Sequence, residues 1–191
     1  MDKYLRQVTI PEGQKGSYKI EKKVFERDPI QAYRMACNGR TYVPGTYTFL
    51  FRDGTLVMSD TPDEMRDHIP AVYNAEGHCL IAGLGIGMVL EAILRKPEVT
   101  KVTVVEISEE VIELVADHYN KLYPGKIEFI QADILEWNPP EEAAYGMVWF
   151  DIWDTICSEN LEDIQMLHEK FLNYAAWSGA WSEDLISDWG D

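Results

Sequence analysis

Residues 80–94 read LIAGLGIGMVLEAIL. An apolar run leads into three glycines spaced two apart, Gly83, Gly85 and Gly87, and a second apolar run with helical spacing follows them. This pattern predicts a buried strand that turns tightly into a helix. Glycines at such a turn let the backbone approach a ligand closely and leave amide groups exposed at a helix N-terminus. They can also serve only the close packing of strand against helix, so the motif alone leaves both interpretations open.

The chain from residue 78 onward alternates buried-strand patterns with amphipathic-helix patterns. The strand patterns are HCLIAG, KVTVVE, KIEFIQAD and YGMVWFD. Such alternation is typical of parallel strands joined by right-handed crossovers. The sequence therefore predicts a Rossmann-like α/β fold with a doubly wound, mostly parallel sheet.

The N-terminal part of the chain has a different pattern, of short strands and turns. Residues 47–60, YTFLFRDGTLVMSD, place a β-rich arm on each side of Asp53 and Gly54. An Asp-Gly pair supplies the positive-φ residues that a tight hairpin needs. We therefore divide the chain into an N-terminal β-hairpin segment, residues 1–70, and a Rossmann-like domain, residues 71–191.

The composition limits the classes of function. The 191 residues are 46% apolar and carry a formal net charge of -16, which allows one main core and disfavours binding to nucleic acid. An acidic surface is compatible with a cationic substrate such as a polyamine. No apolar run is long enough to span a bilayer and no secretory signal pattern opens the chain, so we expect a cytoplasmic protein without a membrane partner.

The three cysteines, Cys37, Cys79 and Cys157, are odd in number and lack CxxC spacing. This pattern favours buried free thiols over a disulfide framework or a thiolate metal site. We therefore predict no metal site.

Three consecutive strand patterns end in an acidic residue: Glu106, Asp133 and Asp151. Because the carboxyl ends of parallel strands lie at one edge of the sheet, we expect these side chains to face a common site. Glu106 follows the glycines by about twenty residues, where a carboxylate can accept the hydroxyl hydrogens of a ribose. Its alternative role is a charge beside the next helix, but Ser108 already suits the N-cap of that helix. The sequence therefore indicates a nucleoside site.

A dinucleotide is the weaker ligand. The G-x-G-x-x-G pattern of dinucleotide sites is incomplete, because Met88 stands where its third glycine would be. A nicotinamide oxidoreductase remains an alternative.

Taken together, these motifs resemble the class I S-adenosylmethionine-dependent methyltransferases, and within that superfamily the spermidine synthase group. The resemblance covers roughly residues 45–157. It implies a site for S-adenosylmethionine or its decarboxylated form, with the methionine part over Gly83, Gly85 and Gly87, the ribose held by Glu106, and the adenine facing Asp133 and the Ile134 backbone.

Two further stretches resemble the spermidine synthase group. YGMVWFDIWD is similar to the family's YDVIIxDSSD block and keeps both of its acids, which in the family bind the amine substrate, the first also helping to deprotonate it. RDGTLVMSDTPDEMRDH is similar to the LDGxxQxSxxDExxYHE block. The retained acids of the first block are Asp151 and Asp154, and the matches of the second are Asp53, Gly54, Asp63, Glu64 and His68.

The chain also departs from that group. Ile86 stands where the family's GGGDG has the aspartate that holds the amine of its ligand, and Asp67 replaces a tyrosine. Only about one helix and a tail follow Asp154, so we expect the family's last strands to be absent and the fold to be short at its C-terminal end. The whole chain, including DIWD, is more similar to small phage-encoded methyltransferase-like proteins.

Several of these residues have structural alternatives. His68, which the resemblance places at the pocket entrance, can be a half-buried histidine on a short helix. Trp153 can hold a sulfonium or ammonium by cation–π attraction or simply pack, and Asp154 can act only as a helix cap. Thr61 to Glu64 match a capping box, so we expect Glu64 to start a helix rather than to bind a ligand.

The sequence favours an S-adenosylmethionine-dependent methyltransferase that acts on a small-molecule acceptor, which can be an amine. Asp151 and Asp154 are the predicted catalytic residues, and His68 and Trp153 are the predicted substrate contacts. The alternatives are a polyamine aminopropyltransferase and a non-catalytic S-adenosylmethionine-binding interaction protein with an open sheet edge. A homodimer is the expected assembly if the chain is not monomeric.

Overall fold

A computed structural model describes residues 3–37, 40–155, 157–181 and 183. Nine strands and six helices are formed within this part of the chain. In chain order they are β1 (Gly13–Lys15), β2 (Tyr18–Phe25), α1 (Pro29–Cys37), β3 (Gly45–Arg52), β4 (Thr55–Ser59), α2 (Pro62–Asp67), α3 (Ile69–Asn74), β5 (Gly77–Ala82), α4 (Met88–Leu94), β6 (Val99–Glu106), α5 (Glu109–Leu122), β7 (Ile127–Gln131), β8 (Met147–Phe150), α6 (Asn160–Phe171) and β9 (Ser178–Ala180).

Strands β5 to β9 form one parallel sheet in the order β7-β6-β5-β8-β9. From β5 the chain adds β6 and β7 on one side of the sheet and then crosses back to add β8 and β9 on the other side of β5. Ligands bind in sheets of this kind at the carboxyl ends of the strands next to such a reversal. The predicted doubly wound α/β fold is confirmed.

Helices cover both faces of this sheet. Successive side chains of a strand point to opposite faces, so each strand contributes to both cores. In β5, Cys79 and Ile81 belong to the core beneath α4 and α5, whereas Leu80 and Ala82 belong to the core beneath α6. This explains why the strand patterns read as continuous apolar runs.

The C-terminal end of the fold corrects one expectation. Residues after α6 add a fifth parallel strand, β9, in which Gly179 pairs with Trp149 of β8. Its three residues lie between Trp177 and Trp181, too few for an alternation pattern to be recognised. The edge of β8 is therefore covered by β9, and the open edge that the binding-protein alternative supposes there is absent from the described residues.

The N-terminal strands form a second, antiparallel sheet in the order β1-β2-β3-β4. The predicted hairpin is its β3–β4 pair, with Asp53 at φ 50° and Gly54 at φ 80° in the turn. This sheet is not separate from the rest, because Ile20 and Leu50 lie in the same hydrophobic cluster as Ile81. The boundary at residue 70 stays a prediction.

Two other sequence predictions concern thiols and membranes. All three cysteines are free; Cys79 is buried as expected, Cys157 is partly buried and Cys37 is exposed, so the expectation of a buried thiol is wrong for Cys37. None of the helices described is long and apolar enough to cross a membrane.

The turn from β5 to α4 requires glycine at its last position for a packing reason. Gly87 has a φ of 75° and is the N-cap of α4. A Cβ there would overlap the ring of Tyr119, a fully buried residue of α5. The Tyr119 hydroxyl donates a hydrogen bond to the Ile86 carbonyl at 2.8 Å, which keeps the ring against the turn.

We expect Gly87→Ala to lower the free energy of unfolding by about 3 kcal/mol, because a left-handed backbone and an overlap with a buried ring act together. Gly125→Ala is the matched control, since Gly125 has a φ of 74° but open space around it. That control should cost about 1 kcal/mol. Equal losses in urea denaturation would contradict the role given to Tyr119.

Candidate active site

A cavity of about 320 Å³ lies where β5, β6, β7 and β8 end. Strands β2, β3 and β4 of the N-terminal sheet and helix α2 contribute its other walls. Nine of the ten residues predicted for the site line this cavity: His68, Gly83, Gly85, Glu106, Asp133, Ile134, Asp151, Trp153 and Asp154. Gly87 is absent from the lining and contacts Tyr119 instead.

Glu106 connects two parts of the cavity wall. Its Oε2 accepts a hydrogen bond from the Leu84 N–H at 2.7 Å, and its Oε1 accepts one from the Ser108 N–H at 2.8 Å. Burial raises the pKa of this carboxyl, although both hydrogen bonds favour the charged form. The expectation that Glu106 has no structural role is therefore wrong, because it fixes the glycine turn to the start of α5. Each oxygen still has a lone pair for a ligand.

At Gly83 and Gly85 a side chain would collide with a neighbouring part of the protein. Gly83 has a φ of 90°, and a Cβ there would overlap the backbone carbonyl of Asp151. Gly85 has a φ of 51°, and a Cβ there would overlap the sulfur of Met58. The two glycines therefore allow strand β8 and hairpin β3–β4 to approach the turn closely.

The part of the cavity wall that follows β7 is held by hydrogen bonds between side chains and the backbone. Asp133 Oδ1 accepts a hydrogen bond from the Leu135 N–H at 2.9 Å. Lys170 of α6 donates to the carbonyls of Ile134 and Leu135 at 3.0 and 2.9 Å. These contacts place Asp133 and the largely buried Ile134 beside Glu106 in the lining.

Asp151 and buried His68 face each other in the cavity wall. Asp151 Oδ2 lies 3.8 Å from His68 Nε2. Burial, with help from the negative charges of Glu64 and Glu106, raises the pKa of Asp151 to about 8. Burial lowers the pKa of His68 to about 4, so this histidine is neutral at physiological pH. A neutral imidazole therefore faces an aspartate poised to hold or release a proton near neutrality.

Glu64 lies in the first turn of α2 as expected, but the capping box expected there is not formed. Thr61 is the N-cap of α2 and Pro62 follows it, but the Thr61 side chain makes no capping hydrogen bond. Glu64 Oε2 instead accepts from the Ser59 N–H at 2.8 Å and from the Ser59 hydroxyl. Burial raises the pKa of Glu64 to about 7. Glu64 is therefore a buried carboxyl of the cavity wall rather than the last member of a capping box.

Asp154 lies toward solvent and is paired with Arg52 of β3, a residue that the sequence analysis did not select. The two side chains are 44% and 46% exposed. Alternation along β3 places Arg52 on the same face as the buried Leu50, so the hairpin pattern contained the information needed to find it. Trp153 lies between the two aspartates in sequence, and its Nε1 has no hydrogen-bond partner among the described residues.

The cavity has an acidic lining. Among the residues described, six carboxyl groups and one guanidinium line it, and burial keeps Asp151 mostly protonated below its pKa of about 8. Such a lining attracts cations and raises the cost of bringing a second negative group close. No three His, Cys, Asp or Glu side chains in the described ranges are grouped as they would be around a metal ion. The carboxylates are Glu64, Glu106, Asp133, Asp151, Asp154 and Asp163.

Comparison with known proteins gives a family match and a set of similar folds. Residues 80–170 match a family model described as a methyltransferase domain. This match supports a methyltransferase of the class I superfamily with S-adenosylmethionine as its cofactor. No curated protein sequence matches the chain significantly.

Two solved structures illustrate the similar folds. The spermidine synthase from Thermotoga maritima aligns with a TM-score of 0.53 and 18% identity over 95% of this chain and 58% of that chain. The N-methyltransferase NodS from Bradyrhizobium japonicum WM9, in complex with S-adenosyl-L-homocysteine, aligns with a TM-score of 0.50 and 15% identity over 69% of this chain and 68% of that chain. At these identities the similarity shows the fold alone. This chain spans 58% of the length of the spermidine synthase.

We expect Asp151→Asn to stabilise the protein increasingly as the pH rises from 4 to 8. The folded protein keeps a proton on Asp151 up to a pKa of about 8, whereas the unfolded chain releases it near 3.8. The wild type therefore loses stability across this window, and the neutral amide does not. Denaturation at several pH values should show a difference of about 2 kcal/mol at pH 8 that shrinks toward pH 4.

Asp117→Asn is the control for this measurement, because Asp117 is 88% exposed and pairs with Lys121 on the surface of α5. A pH-independent difference between wild type and Asp151→Asn would contradict the raised pKa.

Proposed function

We propose that this protein binds S-adenosylmethionine in the cavity and transfers its methyl group to a small-molecule acceptor. The observation that carries this proposal is the convergence of the glycine turn and three strand-end carboxylates, Glu106, Asp133 and Asp151, on one cavity. That cavity is formed largely by residues within the methyltransferase-domain match.

The residues present suit the cofactor. Gly83 and Gly85 line the cavity, and their lack of side chains lets Asp151 and Met58 pack against the turn, over which we place the methionine part of the molecule. Glu106 retains lone pairs for the two ribose hydroxyls beyond the backbone N–H groups it already accepts. Asp133 and the Ile134 backbone are assigned to the adenine. Gly87 is assigned to the turn rather than to the ligand, because it packs against the Tyr119 ring and is absent from the cavity lining.

S-adenosylmethionine supplies a methyl carbon that its sulfonium makes electrophilic, so the protein has to align a nucleophile and remove its proton. We assign the proton acceptor role to Asp151, which is buried at the end of β8 beside neutral His68. A nearby cation favours the charged carboxylate and lowers its pKa toward neutrality. His68 and Trp153 line the cavity, and we assign them to the acceptor; His68 Nδ1 and Trp153 Nε1 are buried and have no hydrogen-bond partner in the described ranges.

Aminopropyl transfer to a polyamine is the second candidate. The six carboxylates of the lining, with Asp151 and Asp154 among them, suit an ammonium group. One observation favours methyl transfer instead. Ile86 is fully buried and contributes no acid to the cavity.

Incubation with S-adenosylmethionine and an acceptor panel of amines, alcohols and thiols should yield S-adenosylhomocysteine, detected by mass spectrometry. Because only ionised Asp151 accepts a proton, kcat/KM should rise with pH and level off above about 8. Asp151→Asn should bind the cofactor as tightly as wild type and turn over at least about 100-fold more slowly. Asp117→Asn should behave as wild type.

Other outcomes would change the assignment. Methylthioadenosine formed from the decarboxylated cofactor would indicate aminopropyl transfer. Cofactor binding without turnover across the panel would favour a binding protein.

A second prediction concerns Glu106 and the ribose. Glu106→Ala should weaken S-adenosylhomocysteine binding at least about tenfold. Because the variant also removes the acceptor of the Leu84 N–H, its effect on ligand contact must be separated from its effect on the turn. Removing the ribose hydroxyls from the ligand, in the 2′,3′-dideoxy analogue, should weaken binding to wild type and leave binding to Glu106→Ala nearly unchanged. Equal losses in both proteins would contradict the ribose assignment.

A further inference from the structure

Arg52 is the one permanently charged cation in the cavity lining, among the residues described. His68, the other basic group there, is kept neutral by burial, which lowers its pKa to about 4. Six carboxyl groups share the lining with Arg52. A ligand carboxylate that enters this cavity is repelled by those of them that are ionised unless it pairs with Arg52.

The present partners of Arg52 are exchangeable. Its guanidinium pairs with Asp154, and Tyr18 is its cross-strand neighbour in β2. Both members of the ion pair are nearly half exposed, at 46% and 44%. Ion pairs with this exposure contribute little to stability, so a ligand carboxylate can replace Asp154 at small cost.

The hairpin that carries Arg52 also covers the glycine turn. Met58 on β4 accepts a hydrogen bond from the Ile86 N–H through its sulfur at 3.2 Å. The register of β3 and β4 shifts after Leu50, and this irregularity brings both Val57 and Met58 into the lining. A thioether is a weak acceptor, so a carboxylate at this end of the cavity would be a better partner for the Ile86 N–H.

We propose that Arg52 determines cofactor specificity by pairing with the carboxylate of S-adenosylmethionine, which selects this molecule over its decarboxylated form. The inference rests on the proposed function and names the residue that makes the site one for methyl transfer. Without Arg52 the acidic lining would favour the decarboxylated form, because that molecule lacks the one group that the acids repel. With Arg52 the preference is reversed by a charge-assisted pair.

The test is equilibrium binding, by titration calorimetry, of S-adenosylmethionine and of its decarboxylated form. Wild type should bind S-adenosylmethionine about tenfold more tightly than the decarboxylated form. Arg52→Gln should lose that preference, because its affinity for S-adenosylmethionine falls while its affinity for the decarboxylated form stays the same or rises. Arg52→Lys should keep most of the preference, and Asp154→Asn should bind S-adenosylmethionine more tightly because the competing carboxylate is gone.

Arg66→Gln is the matched control, since it also removes an exposed arginine from an ion pair, with Asp63 on α2, and lies outside the lining. It should leave both affinities unchanged. Equal weakening of both ligands by Arg52→Gln, or no change in either, would overturn the inference and leave the proposed function intact. Binding of neither ligand by wild type would overturn both.

Discussion

The cavity depends on one buried carboxylate, that of Glu106 at the end of β6. It accepts the Leu84 N–H of the glycine turn and the Ser108 N–H at the start of α5, so a single side chain holds two neighbouring βα connections in register. Buried N–H groups without an acceptor and a buried carboxylate without donors would each be costly. The hydrogen bonds of Glu106 satisfy the buried N–H groups and the buried carboxylate at the same time. They fix the turn at the position where Gly83 and Gly85 face the cavity.

The same cavity concentrates acids whose burial disfavours the folded state. Burial raises the pKa of Asp151 to about 8 and that of Glu64 to about 7, which means that ionising them costs stability near neutral pH. A cationic ligand relieves this cost, because it favours the ionised carboxylates. Binding of a cationic ligand should therefore change both the protonation of these acids and the stability of the protein. Sites that need buried charges commonly reduce the stability of a fold.

The sequence predicted those parts of the fold and site that local patterns encode. The glycine turn and the strand-end acids follow from periodicity, because parallel strands bring their carboxyl ends to one edge. Strand β9 was missed because three residues carry no period, and Glu64 was misassigned because the spacing of a capping box does not reveal which N–H the carboxylate accepts. The packing role of Gly87 depends on Tyr119, which is 32 residues away in the chain and adjacent only in three dimensions.

The two sheets contribute differently to the cavity, and this separates fold from specificity. The parallel sheet supplies the turn and the acids within residues 80–170, the range of the methyltransferase-domain match. Arg52 and Met58 come from the hairpin of the antiparallel sheet, outside that range. Leu50 of the same hairpin also lines the cavity and is buried in the core shared with Ile81. Packing of Leu50 therefore fixes the hairpin over the turn. In the proposed mechanism, a few residues on a small sheet set the ligand choice, and core packing holds that sheet against a Rossmann-like framework.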